Sequence, residues 1–322
     1  MALKKIRIGV IGAGHGHSTT FHGPALQKCR AENPNGVELA WVCDLDQARA
    51  RDYAETFGFG KWTTSYRTMI KEDKPDALFL ITPLHVTAKI TAELLPLQIP
   101  LLIEKPPAEN SIGIRALRDL AQKYGTLHMI SFNRRFNPAI LKAREWLSSF
   151  TLPEPHLLVG RMLRVRRLEP GFAIGTGIHL VDAAFSLMGR PLSMETRRIQ
   201  RAESETFSVQ MGFERDRTAN ITIAPHSGME AETYELIGEG YQIFVDVIGV
   251  RAEANRSKHG TASWQFDDMD TVLKEGTLEE TRAFLQAVAI GQQPKPDIED
   301  SLISMLACES IAEGKSRSLQ SV

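Results

Sequence analysis

The chain has 322 residues, 43% of them hydrophobic and 24% charged, with a formal net charge of −1. That length suits two domains of roughly 100–200 residues each, and the near-neutral balance leaves no electrostatic footprint for a nucleic acid or an anionic membrane surface. Cys29, Cys43 and Cys308 are far apart and form no Cys-x-x-Cys pair, which argues against a disulfide framework or cysteine metal site and for a reducing cytoplasm. No stretch approaches the roughly 18 apolar residues of a membrane span, and the N-terminus runs into a strand with no signal peptide.

Ile6 to Ile11 reads as a strand, followed by Gly12-Ala13-Gly14-His15-Gly16-His17 and a segment, Ser18 to Arg30, that can be helical. Strand, glycine turn and helix is the order of a dinucleotide site. Gly12 makes the tight turn, Gly14 lets backbone approach a pyrophosphate, and the helix N-terminus holds its charge. The third glycine comes early, at Gly16, with His17 where the pattern wants it, so a remodelled turn is expected. Val37 to Cys43 is a second strand. Asp44 at its end is placed to accept ribose hydroxyls and repel a 2′-phosphate, which favours NAD over NADP, whereas Asp46 directly precedes the helical run Gln47 to Phe57 and suits its N-cap. Trp41, Phe57, Phe59 and Trp62 read as core.

The alternation continues with a strand at Ala77 to Ile81, a helix over Val86 to Leu95, a strand at Ile99 to Ile103, a helix over Ile112 to Tyr124 and a strand at Leu127 to Ser131. Such alternation means βαβ units and a parallel sheet. Thr82-Pro83 and Glu104-Lys105-Pro106-Pro107 each follow a strand, at the edge where open α/β sheets bind ligands. Taken alone, Glu104-Lys105 is equally readable as a solvated charge pair before a turn. His15, His17 and His22 lie close together but lack the spaced carboxylate or cysteine set of a metal site, so no metal is expected.

After Trp146 the pattern changes. Segments at His156 to Val165, Ser193 to Gln200, Thr206 to Gly212, Arg217 to Ala224, Thr233 to Ile237 and Tyr241 to Val247 read as successive strands of an antiparallel sheet. Helical runs at Leu278 to Ile290 and Ile298 to Ile311 close the chain, and the domains are expected at 1–130 and 131–322. One helix, Gly177 to Met188, interrupts the strands; His179 and Asp182 are its only ionisable residues and share one face. Buried polar groups need partners, so the two either cap local backbone, pair with each other, or face the crevice near Lys105. Arg161, Arg164, Arg166 and Arg167 are readable as a solvated strand face, a subunit contact, or a bidentate clamp for an anionic substrate.

The glycine turn, Cys43-Asp44-Leu45-Asp46, Thr82-Pro83-Leu84-His85, Glu104-Lys105-Pro106 and Asn133-Arg134-Arg135-Phe136 occur in the order and spacing of the Gfo/Idh/MocA oxidoreductases, which the chain resembles over nearly its whole length. The resemblance implies a Rossmann-type doubly wound parallel sheet, then an α+β domain with a predominantly antiparallel open sheet that carries homodimer or homotetramer contacts. It implies NAD(P)-dependent hydride transfer at a CH–OH group of a sugar, polyol or sugar derivative. Lys105 would sit beside the nicotinamide in substrate binding and proton transfer. His179 would contact substrate near it, with Asp182 completing the Gly-x-His-x-x-Asp motif as a third catalytic residue. The cofactor set implied is Gly12, Gly14, His15, Asp44, Thr82, Pro83, His85, Glu104 and Lys105, and the substrate set Lys105, Asn133, Arg135 and His179; His22 matches a histidine of the family's first helix.

A lysine with a free pKa of about 10.4 is a poor base near neutrality unless burial lowers it. Glu104 would oppose this if it faced Lys105, so Glu104 is expected to turn towards structural or cofactor contacts. One departure stands out: dehydrogenases of the inositol type carry an acid four residues before the histidine, and that position is Gly175. Glu169 or Thr176 could substitute, or Lys105 with His179 could suffice. Gly175 and the altered glycine turn leave open a cofactor-binding protein without dehydrogenase activity, working as a sensor or partner subunit. A non-redox enzyme that uses transient redox is the third reading.

Overall fold

The computed structural model describes residues 5–14, 16–150 and 152–319, and it divides into two compact units, Met1–Asn133 with Asp270–Leu302 and Arg134–Met269 with Ile303–Val322. The expected boundary at 130/131 moves to 133/134, and a later segment returns to the first unit. The return has local causes. Phe284 sets its ring edge on Phe79 with centroids 5.3 Å apart, Ser131 donates to buried Glu280 at 2.8 Å, and Ile130 N donates to Pro296 O at 2.8 Å.

The first unit is built on six parallel strands, β1 Ile6–Ile11, β2 Val37–Cys43, β3 Lys61–Thr63, β4 Ala77–Leu80, β5 Leu101–Glu104 and β6 His128–Ser131, in the order β3-β2-β1-β4-β5-β6. Strands β4 and β5 are buried at every position, as expected of parallel strands covered on both faces. The order reverses between β1 and β4, which opens a crevice at their carboxyl ends. Asp46 caps the helix Gln47–Phe57 by accepting from Ala48 N and Arg49 N. The expected helix after the glycine turn forms, with Ser18–His22 in a wide π register that runs on without a break into the α-helix Gly23–Glu32. Pro24 lacks the N–H that would continue an α-helical ladder, and the π-register stretch directly before it is where that ladder departs from the α pattern. Trp62 departs from its expected core position and is 38% exposed, because β3 is a short edge strand; Trp41, Phe57 and Phe59 are buried.

The second unit carries a nine-stranded sheet, β7 Leu157–Leu163, β8 Ser193–Gln200, β9 Glu205–Gly212, β10 Thr218–Ala224, β11 Ala231–Gly238, β12 Tyr241–Asp246, β13 Arg251–Arg256, β14 Gly260–Gln265 and β15 Arg317–Ser318. Its order is β14-β13-β12-β11-β7-β10-β9-β8-β15, antiparallel throughout except for the parallel β7–β10 pair. In β11 buried and half-buried residues alternate strictly, the period of a strand with one face on a core. The helix Ile178–Met188 packs against β7. No helix among the described residues is long and apolar enough to cross a membrane.

Candidate functional site

Four expected cofactor positions follow the carboxyl ends of β1, β2, β4 and β5 within the first unit. Gly12 has φ +103°, and a Cβ there would lie 2.0 Å from Ile81 O, so no other residue fits this turn. The turn's amides already grip an anion: Ala13 N and Gly14 N both donate to Asp44 Oδ2 at 2.9 Å, and Asp46 N donates to Asp44 Oδ1 at 2.9 Å. A carboxylate offers about four acceptor positions. Three are used here, so Asp44 braces the turn and by count can still accept one ribose hydroxyl. A Cβ on Gly14 would lie 2.7 Å from Arg49 Cδ, which puts that cation over the turn. With the Ala13 and Gly14 amides taken by Asp44, the glycine close approach and the neighbouring Arg49 are what this turn offers a pyrophosphate, and they fit NAD. His15 lies outside the described residues.

After β4, Thr82 shares a 2.8 Å hydroxyl contact with Thr87, Pro83 precedes the helix Leu84–Leu94, and His85 is exposed in its first turn. After β5, Lys105 is half-buried and its backbone N donates to Glu104 Oε2 at 2.7 Å. Glu104 is 7% exposed, with Oε1 3.0 Å from His17 Nδ1 and 3.5 Å from His22 Nε2. Burial pushes the Glu104 carboxyl up, but hydrogen bonds from His17 and His22 outweigh it and hold the group well below the usual carboxylate range. Glu104 therefore turns to structural partners, as expected, and the shared carboxylate ties the glycine turn to the residue carrying Lys105. The two histidines were legible as a close pair but not as partners of Glu104. The usable signal was that an acid at the end of a fully apolar strand must be paired. Asn133, at the end of this unit, donates to Glu275 O at 2.9 Å.

In the second unit Asp182 is fully buried and accepts both arms of Arg135, at 2.8 Å from Nε and 2.7 Å from Nη2, with Ser304 Oγ 3.3 Å away. This fork gives both residues a holding role: it fixes the helix that carries half-buried His179, whose N donates to Thr176 O at 3.1 Å. The four-arginine cluster separates on folding. Arg164 is buried against Glu232, which Arg134 also contacts at 3.1 Å; Arg167 pairs with Glu169; Arg161 and Arg166 are exposed. It does not form a single anion clamp. Burial pushes Glu232 up, yet the charges of Arg134 and Arg164 win and lower it. Gly175 ends the short helix Phe172–Gly175, exposed, and a Cβ there would meet nothing within 4 Å. No group of three or more His, Cys, Asp or Glu residues among the described residues is arranged to hold a metal.

Residues 6–132 match the GFO_IDH_MocA profile, described as an oxidoreductase family with an NAD-binding Rossmann fold. D-glucoside 3-dehydrogenase of Escherichia coli (strain K12) is 28% identical over 204 residues, 59% of this chain and 56% of that protein, so this match spans little more than half of the relative's length. Inositol 2-dehydrogenase of Rubrobacter xylanophilus is 26% identical over 263 residues, 77% of this chain and 70% of its own. The solved structure of a levoglucosan dehydrogenase in complex with NADH and levoglucosan superposes with a TM-score of 0.84 at 16% identity, covering 98% of this chain and 99% of the other. That last likeness is one of fold.

Proposed function

We propose that the chain, whose residues 6–132 match the GFO_IDH_MocA oxidoreductase profile, transfers a hydride between NAD and a CH–OH group of a sugar, polyol or sugar derivative. NAD, when bound, supplies the hydride acceptor. Gly12, Gly14 and Asp44 hold its pyrophosphate and adenosine ribose, with Thr82, Pro83 and His85 bordering the nicotinamide half. Lys105 takes the hydroxyl proton and His179 orients the same hydroxyl, while Asp182 and Arg135 hold the His179 helix. The observation that carries this reading is the gathering of the glycine turn, Asp44, Thr82-Pro83 and Lys105 at the carboxyl ends of β1, β2, β4 and β5, around the switch between β1 and β4.

The test is calorimetry with NAD and with NADP, followed by absorbance at the reduced-nicotinamide band across a panel of neutral and acidic sugars and polyols. NAD should bind the tighter and at least one sugar-like alcohol should reduce it. Lys105→Ala should lower turnover by about 10²-fold or more, the usual worth of a general base, with NAD affinity held within a few-fold; retained turnover would remove Lys105 from its role. Gly175 favours one second reading, a cofactor-binding protein without dehydrogenase activity. Tight NAD binding with no alcohol of the panel oxidised would support that reading instead.

A further inference from the structure

Wholly inside the second unit lies a cleft of about 420 Å³ between the segment after β7 and the β8–β9 turn, large enough for one sugar ring by the usual size of small-molecule sites. Its apolar lining is Pro170, Phe172, Phe207 and Pro225. The polar lining is unusual in its charge. Arg167 lies over the Phe172 ring at 5.6 Å and pairs with Glu169, Arg198 beside the cleft pairs with Glu205, and among the described residues Glu203 joins no ion pair. Arg167, the one cation of the lining, and Arg198 beside it are thus matched, and the lining has acceptor oxygens in surplus. An anionic ligand finds no unmatched cation in this lining. A neutral polyhydroxylated ring fits, with hydroxyls donating to carboxylates and its C–H face on the aromatic and proline surface.

The cleft is joined to the turn that precedes His179. Arg167 Nη2 donates to Thr176 Oγ1 at 3.3 Å, and Thr176 O accepts from His179 N at 3.1 Å. Gly175 directly precedes Thr176, with open space where a side chain would project. We propose that this cleft is a subsite for the second group of a neutral glycoside, whose reacting ring is held at His179. The inference rests on the dehydrogenase reading above and names its substrate class. The missing acid at Gly175 then leaves room for a bulkier substrate.

The experiment compares kcat/KM, with NAD saturating, for a monosaccharide, its methyl glycoside, a neutral disaccharide containing it, and the corresponding sugar phosphate. The disaccharide should exceed the monosaccharide by about tenfold or more, the worth of a modest set of pocket contacts, and the phosphate should gain nothing. Ala202→Trp, at an exposed position of the cleft lining, should collapse the disaccharide-to-monosaccharide ratio towards 1. Equal kcat/KM for mono- and disaccharide, a ratio unmoved by A202W, or preference for the phosphate each overturns the subsite. Absence of turnover for every sugar counts against the dehydrogenase reading. In that case calorimetry of the disaccharide on the NAD-loaded protein decides the subsite, which requires binding in the wild type that A202W weakens.

Discussion

Glu104 sits at the end of β5 with two imidazoles on one oxygen and the Lys105 amide on the other, and the direction of its pKa shift sets how this corner responds to acid. Its folded pKa lies well below its free value. A carboxyl depressed on folding contributes stability that is fully present above the unfolded pKa of about 4.3 and is lost as pH falls through the folded value. Glu104→Gln should therefore cost about 1–3 kcal/mol near pH 7, where buried donors lose a charged acceptor. The difference from wild type should shrink as the pH drops below about 4.3. Urea titrations of both proteins between pH 7 and 3 read this directly, and a gap that stays constant across the range would refute the ionised pairing. Asp44 is likewise an acid at a strand end that takes donors from the protein, here three backbone amides at the glycine turn. The sequence showed that an acid belongs at this strand end, but not that it would brace the turn, because that depends on how Ala13 and Gly14 aim their N–H groups.

The helix Ile178–Met188 hangs on the Arg135–Asp182 fork, which links it to the turn Asn133–Phe136. Removing one partner of a buried pair leaves an uncompensated charge, a loss of about 3–5 kcal/mol, whereas replacing both by apolar residues of like volume is often neutral. Asp182→Ala should thus show a strongly reduced urea midpoint, and R135M/D182L should recover most of it. If Asp182 only positions His179, the double variant should also regain part of the kcat lost in D182A; recovery of stability with no recovery of kcat would instead assign Asp182 to the chemistry. Elements with strong local signals were legible in the sequence. Strand β2 and the helix Gln47–Phe57 fall on their expected residues, since Val-rich runs, the Asp46 cap and Gly58 punctuate them. Strands β13 and β14 were not legible: Arg251–Arg256 has no β-branched residue, and Gly260–Gln265 has only Thr261 and Trp264 as strand formers among Gly, Ala, Ser and Gln. They are strands because neighbours supply a ladder. The separation of the Arg161–Arg167 cluster was not legible for a similar reason, since the acid that buries Arg164 is Glu232, far along the chain.

The first unit draws on two stretches separated by residues 134–269. A sequence read from left to right places the later helix Thr277–Ile290 in the second domain, because periodicity marks a helix without saying which sheet it covers. Packing decides it. Besides the Phe284–Phe79 and Glu280–Ser131 contacts, Arg282 pairs with Glu32 and Lys28 pairs with Asp270 at 2.6 Å. Phe79 is 0% exposed in β4, so a chain ending at residue 133 would uncover a central strand of the cofactor sheet. Losing the partner of one buried aromatic costs about 3–5 kcal/mol, comparable to much of the 5–15 kcal/mol by which domains are stable. A fragment of residues 1–133 should therefore lack a cooperative unfolding transition and bind no NAD by calorimetry. The same fragment joined through a flexible linker to residues 270–302 should regain both, with NAD at about 100 times its Kd adding about 2.7 kcal/mol of stability through mass action. Full NAD affinity in the 1–133 fragment alone would show that the returning segment is dispensable for the cofactor sheet, and that its contacts with β4 and β6 do not decide the fold of this unit.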